Sequence, residues 1–331
     1  MPTAHLPPGK LPVHLLVELL GELEPAPPEV RLGPAVGEDA CALTVERGAL
    51  VAATDPITFT GVDIGRLAVV VNANDVAVMG VRPRWFLAAI LLPCGTTEDD
   101  VRTLFACMRG ALAELGIALV GGHTEVTPVV SQPLVVGQML GLAENDRFVA
   151  TGGARPGDIV VQVGLAPIEG AAVLAVEAAE HLGGCDPAMV RAAADAIRIP
   201  GISVVEPALA ATELGATALH DPTEGGLASG LHELATAARV GLRVDPAQVR
   251  WFEPGLAVCR ALGADPWATL ASGSLLATFP TDRATAATEA IAAHGHPVAI
   301  LGVAEPGHGV HDSEGRAIPW PPRDEVARLL S

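Results

Sequence analysis

Tyrosine is missing from these 331 residues, and aromatic residues of any kind make up only 3% of them. Lysine occurs once, as Lys10, beside nineteen arginines. Because Lys10 is followed by Leu11, a P-loop with its Gly-Lys-Ser/Thr ending is excluded. Positive charge is scarce altogether: 20 Lys and Arg against 38 Asp and Glu leave a formal charge of −18. Such a balance works against electrostatic capture of DNA, RNA or anionic lipid. The five cysteines (Cys41, Cys94, Cys107, Cys185 and Cys259) are scattered and never spaced Cys-x-x-Cys, which argues against a disulfide framework or structural zinc. No apolar stretch approaches the roughly 18 residues that span a bilayer, and no basic segment leads into an apolar run with a small-residue cleavage site. The expectation is a soluble cytoplasmic protein with reduced thiols.

What the chain does have is 50% hydrophobic residues, 36 Gly and 28 Pro, a composition for two folded domains rather than disorder. Val13, Leu16, Val17 and Leu20 have helical spacing, and Pro-rich 24–28 reads as a linker. Apolar runs at 40–45 and 49–54 flank Glu46-Arg47-Gly48 as in a hairpin. Asp63 can cap a helix on which Asn72 and Asp75 share a face with no reason to be there in pure core. A strand over 85–92 and a helix capped by Thr97 with Asp100 follow. A buried strand is expected over 117–120, running into the loop Gly121-Gly122-His123-Thr124-Glu125, and another strand lies near 134–142. Turn chemistry at 151–158 marks a boundary. Beyond it come a strand at 159–163, Ala-rich helices near 168–182, 187–197 and 203–214, and alternating elements to about 303. Both halves read as mixed α/β: an arm at 1–29, domains at 30–150 and 151–305, and a tail at 306–331.

Four aspartates stand at the edges of apolar elements: Asp39, Asp55, Asp75 and Asp221. Any one alone reads as a cap or turn residue. Together they suit Mg²⁺, which takes carboxylate oxygens and shares them with phosphate. An acidic chain with one lysine can hold a polyphosphate only through bridging cations or backbone N–H groups. The pairs Gly121-Gly122 and Gly225-Gly226 offer the second if they turn into helices, and tight turns otherwise. His123, beside Thr124 and Glu125, can ligate metal, act as acid or base, hydrogen-bond a phosphate, or be a satisfied loop histidine, and His220 beside Asp221 has the same choices. His294/His296 and His308/His311 lack a third ligand and read as surface.

Gly37-Glu38-Asp39-Ala40, Ala53-Thr54-Asp55, Asn72-Ala73-Asn74-Asp75-Val76-Ala77-Val78-Met79-Gly80, Gly-Gly-His-Thr-Glu at 121–125 and Asp221-Pro222-Thr223-Glu224-Gly225-Gly226 occur in that order. The set resembles the aminoimidazole ribonucleotide (AIR) synthetase superfamily from about residue 30 to 305, with wording nearest its hydrogenase maturation branch. The resemblance implies a PurM-like two-domain α/β fold whose N-terminal domains pair into a β-barrel across a homodimer, with ATP and Mg²⁺ in a cleft. Carried over by position, Asp39, Asp55, Asp75 and Asp221 hold metal, with Thr54 and Asn72 orienting nucleotide or metal-bound water. Gly121, Gly122, Thr124, Thr223, Gly225 and Gly226 contact phosphates, Lys10 folds over them, and His123 or Glu125 moves a proton. The maturation branch uses a C-terminal cysteine, whereas this chain reads Arg328-Leu329-Leu330-Ser331. The function implied is phosphorylation of an amide, carboxylate or phosphate oxygen of a small substrate. Its rival is a nucleotide-binding maturation factor that docks onto a partner protein.

Overall fold

The computed structural model describes residues 13, 17, 30–32, 35–38, 40–58 and 63–331. Val13 and Val17 are helical, and the remainder of the expected first helix lies outside the described residues. Two six-stranded sheets organise the chain. The first is built from β1 (Val30–Leu32), β2 (Cys41–Thr44), β3 (Ala49–Ile57), β4 (Pro83–Leu92), β5 (Ala118–Val126) and β6 (Leu134–Ala143), in the order β1-β2-β3-β6-β4-β5. The β2–β3 hairpin turns where Glu46-Arg47-Gly48 places it, with the Val45 N–H donating to the Gly48 carbonyl at 3.2 Å. All pairs are antiparallel except β4 with β5.

Helices α1 (Ile64–Ala77) and α2 (Glu98–Leu115) pack on this sheet. Twelve of the fourteen residues of α1 are buried, so it is a core helix and carries no exposed face. Its expected cap does not form: the Asp63 side chain makes no N-cap bond and instead pairs with Arg198. The cap of α2 does form. Asp100 N–H donates to Thr97 Oγ1 at 3.2 Å and Thr97 N–H to Asp100 Oδ2 at 2.9 Å, with Glu98 and Asp99 adding negative charge to the positive helix end.

The second sheet comprises β7 (Ile159–Gly164), β8 (Ala218–His220), β9 (Gly241–Val244), β10 (Ser274–Phe279), β11 (Val298–Glu305) and β12 (Val310–Asp312), in the order β12-β9-β11-β7-β10-β8. Around it lie α3 (Glu169–Glu177), α4 (Pro187–Ala194), α5 (Val205–Glu213), α6 (Gly226–Ala238), α7 (Glu253–Leu262), α8 (Thr281–Ala293) and α9 (Glu325–Leu329). The three Ala-rich helices thus stand where the apolar periodicity predicts them. One apolar cluster runs from Val51 and Phe86 through α1 to Leu174 and Phe279, joining both halves. Asn74 pins the junction: its Nδ2 donates to the Ile202 carbonyl and its Oδ1 accepts the Val204 N–H, both at 2.9 Å. No described helix is long and apolar enough to cross a membrane.

Candidate nucleotide and metal site

Asp55 sits near the end of β3, and a single buried side chain on α1 fixes its backbone. Asn72 Oδ1 accepts the Asp55 N–H at 2.8 Å, while Asn72 Nδ2 donates to the Asp55 carbonyl at 3.2 Å and the Ala68 carbonyl at 2.9 Å. Asn72 is 0% exposed, so its amide positions Asp55 and presents nothing to solvent. The neighbouring strand leaves room for it because position 137 is glycine: a Cβ there would lie 2.3 Å from Asn72 Nδ2. Thr54 Oγ1 donates to the carbonyl of the same Gly137 at 2.7 Å. Asp75, three residues on from Asn72, is buried on the same helix. The polar pair on an apolar helix is explained by one clamp and one carboxylate.

From the other half comes the loop between β8 and α6. Asp221 is buried at its start. Gly225 and Gly226, at φ +79° and +66°, make the left-handed turn into α6 that side chains disfavour. The expectation that their N–H groups stand open toward a phosphate is not met in this structure. The Gly225 N–H donates to Asp324 Oδ2 at 2.7 Å in a buried contact, and the Gly226 N–H donates to the Thr223 carbonyl at 3.0 Å. His220 is also accounted for: it is 2% exposed with Nε2 2.9 Å from Glu233 Oε2, a buried pair behind the loop.

Between the two halves lies a concentration of negative charge. Glu169, at the head of α3, is 6% exposed. Burial pushes its carboxyl up to about 7, and Glu224, Asp324 and Asp55 push the same way, while the Ser272 hydroxyl beside it pulls it down. Asp324 is raised to about 6, again chiefly by burial and with Glu224 adding to it, against the N–H groups of Gly225, Val326 and Ala327. Glu169 therefore lies within electrostatic range of Asp55 from the first half and of Glu224 from the second.

The Gly121–Glu125 segment differs from its expected form. It is no glycine turn entering a helix but part of β5, paired in parallel with β4 so that Gly121 lies opposite Leu87 and His123 opposite Ala89. Nor is that strand buried: Ile117 is 7% exposed, but all nine residues of β5 are exposed, Val120 at 54%. Among the described residues β5 has β4 as its one sheet neighbour and so is an edge strand. His123 Nε2 and Glu125 Oε2 lie 3.4 Å apart on this exposed strand. Lys10 and Asp39 lie outside the described residues. Among the described residues no three His, Cys, Asp or Glu side chains group as a ready-made metal site.

With that geometry in place, the comparisons are informative. Residues 37–143 match the N-terminal domain of AIR synthase related proteins, and residues 155–312 match the C-terminal domain. A carbamoyl dehydratase HypE of Rhizobium leguminosarum bv. viciae is 30% identical over 311 residues, 88% of this chain and 86% of the relative. The chain belongs to the AIR synthase-related family. Its likeness within that family runs to the HypE branch. A crystal structure of hydrogenase maturation protein HypE in complex with ATP matches with a TM-score of 0.71 and 26% identity, over 89% of this chain and 92% of that one. The crystal structure of a HypE–HypF complex matches in fold, with a TM-score of 0.73 at 24% identity over 86% and 94% of the two chains. Three residues of this AIR synthase-related chain escape a reading of its sequence: Asn74, Glu169 and Asp324. Asn74 had a signal, being a third polar residue in a buried helix. The other two come near Asp55 and Gly225 only through contacts between distant parts of the chain.

Proposed function

We propose that the protein is an ATP-dependent enzyme that transfers the γ-phosphoryl group to an oxygen of a small acceptor, an amide, carboxylate or phosphate, with Mg²⁺ held in the acidic cleft. The observation carrying this reading is that Asp55, Glu224 and Asp324, from both halves of a chain of net charge −18, all lie within electrostatic reach of the buried Glu169. Such a cleft repels a bare triphosphate and attracts one whose charge is bridged by divalent cations. Mg²⁺ is ordinarily bound through one or two carboxylates plus the phosphates themselves, which suits aspartates that do not form a closed protein cage. Bound Mg·ATP supplies the phosphoryl group, and the protein's share is positioning and charge stabilisation.

In this reading Asp55, Asp75 and Asp221, with Asp39, hold the cations. Thr54 and Asn72 act by fixing the β3 backbone. Thr223, Gly225 and Gly226 give the phosphates a low, side-chain-poor surface to lie against, and Lys10 closes over them. A cavity of about 560 Å³, lined in part by Asp63, Cys107, Pro133, Val176, Asp195 and Arg198, opens at the N-terminal end of α1, about 12 Å along the helix from Asn72.

Homodimerisation belongs to the same proposal. An edge strand with nine exposed residues, carrying Leu119, Val120 and Val126, is a surface that proteins ordinarily pair or cover. Pairing it across a two-fold would place Gly121, Gly122, His123, Thr124 and Glu125 in the interface between protomers. The alternative, a nucleotide-dependent maturation factor, draws on the HypE–HypF likeness and predicts complex formation with a partner protein without acceptor turnover. Calorimetry separates the nucleotide reading from a fold relative that binds none: Asp75→Ala should weaken Mg·ATP binding at least tenfold. Equal binding by wild type and variant would overturn the assignment.

A further inference from the structure

The segment from Ile318 to Leu329 is a strap laid across the head of α6. The Trp320 ring stacks on His232 of α6, centroids 5.0 Å apart and planes at 9°, and His232 Nε2 lies 2.8 Å from the Ile318 carbonyl. The Glu325 N–H donates to the Ala268 carbonyl at 3.0 Å, the Asp265 N–H to Glu325 Oε2 at 3.2 Å, and Arg328 to the Gly263 carbonyl at 3.0 Å. Val326 is 0% exposed. The strap is thus tied along its length to α6 and to the segment between α7 and β10.

At its centre one carboxylate serves two backbones. Asp324 Oδ1 accepts the Val326 N–H at 2.7 Å and so caps α9, while Oδ2 accepts the Gly225 N–H, also at 2.7 Å. Asp324 is 7% exposed, so both bonds are sheltered from water, where an unmet N–H costs most. Gly225 in its left-handed conformation is the pivot between Asp221 and α6. Its neighbours are braced too: the Thr223 carbonyl accepts from Gly226 and Ala271. Asp324 reaches this set from beyond the last strand of the second sheet.

We infer that Asp324 is a positioning residue of the nucleotide site: the strap's carboxylate fixes Gly225, and through it the orientation in which Asp221 and Thr223 meet the cation and phosphates. This rests on the Mg·ATP reading of the cleft. The N–H of Gly225 is then engaged by the strap and not offered to a phosphate.

The test is Asp324→Ser in the full chain. Serine still caps the Val326 N–H and keeps α9, but it is too short to reach Gly225 as well. Mg·ATP affinity by calorimetry should fall at least tenfold, and the amides of residues 225–227 should exchange hydrogen faster, with an unchanged far-UV circular dichroism spectrum. Asp324→Asn, which keeps one acceptor oxygen and turns an NH₂ toward the second N–H, should give an intermediate loss. Asp221→Asn serves as the reference. If it abolishes binding while Asp324→Ser binds as wild type does, the strap inference fails and the nucleotide reading stands. If wild type itself does not bind Mg·ATP, both fail. Rapid exchange of the Gly225 amide in the wild-type protein would also overturn the inference, whatever the variants do.

Discussion

Glu169→Gln makes a sharp test of the acidic cleft, because the effect has a sign and a pH window. In the unfolded chain this carboxyl ionises near its ordinary 4.5, and in the folded protein it is held up to about 7, first by burial and then by Glu224, Asp324 and Asp55. Below about pH 4.5 both states carry the proton and the group contributes nothing to pH dependence. Between 4.5 and 7 the folded state keeps a proton that the unfolded state has released, so stability falls as pH rises. Above 7 the full cost is present, about 3 kcal/mol from 1.36 kcal/mol per pH unit. Glutamine is neutral throughout and nearly isosteric. The variant should match wild type near pH 4.5 and exceed its stability by up to about 3 kcal/mol at pH 8. Urea titrations of both proteins across pH 4.5 to 8, without divalent cations, give the difference directly. Asp324 drives wild-type stability in the same direction, so the difference between proteins is diagnostic and the wild-type slope alone is not. A wild-type-to-variant gap that stays constant with pH would refute the reasoning.

Two further outcomes follow from the geometry. Asn72→Ala removes the acceptor of the Asp55 N–H and leaves buried groups unmet, so it should cost about 2 kcal/mol in urea and also weaken Mg·ATP binding, which calorimetry can follow separately. Val120→Asp places a charge on the exposed edge strand; light scattering should show a dimer become a monomer with the monomer's own stability changed by less than about 0.5 kcal/mol. An unaltered mass would remove β5 from the interface.

Local chemistry was readable where it closes within a few residues. The Thr97–Asp100 box, the hairpin at Glu46-Arg47-Gly48 and the Ala-rich helices are set by neighbours in sequence, and the structure has them in place. The clamp on Asp55 was half readable: Asn72 and Asp75 stood out on an apolar helix, but that Asn72 grips a strand 17 positions away was not visible. The reading erred at Gly121-Gly122 because two glycines are equally at home in a helix-entering turn and in a strand, and local sequence does not choose between them. It erred at 118–120 because an apolar run says "strand" without saying whether the sheet continues past it. Asp324 caps α9 from two residues away, but its second bond, to Gly225, spans 99 positions and leaves no mark in the local sequence.

The fit of Asn72 against Gly137 carries an evolutionary consequence. Any side chain gained at 137 collides with the amide that steadies Asp55, and any smaller residue at 72 frees the space but releases the aspartate. Neither site can drift alone, and a compensating double change would restore packing without restoring the ligand. A lineage that abandoned nucleotide chemistry would be free to take that path, so the residues at 72 and 137 together form a written record of whether the cleft is still in use.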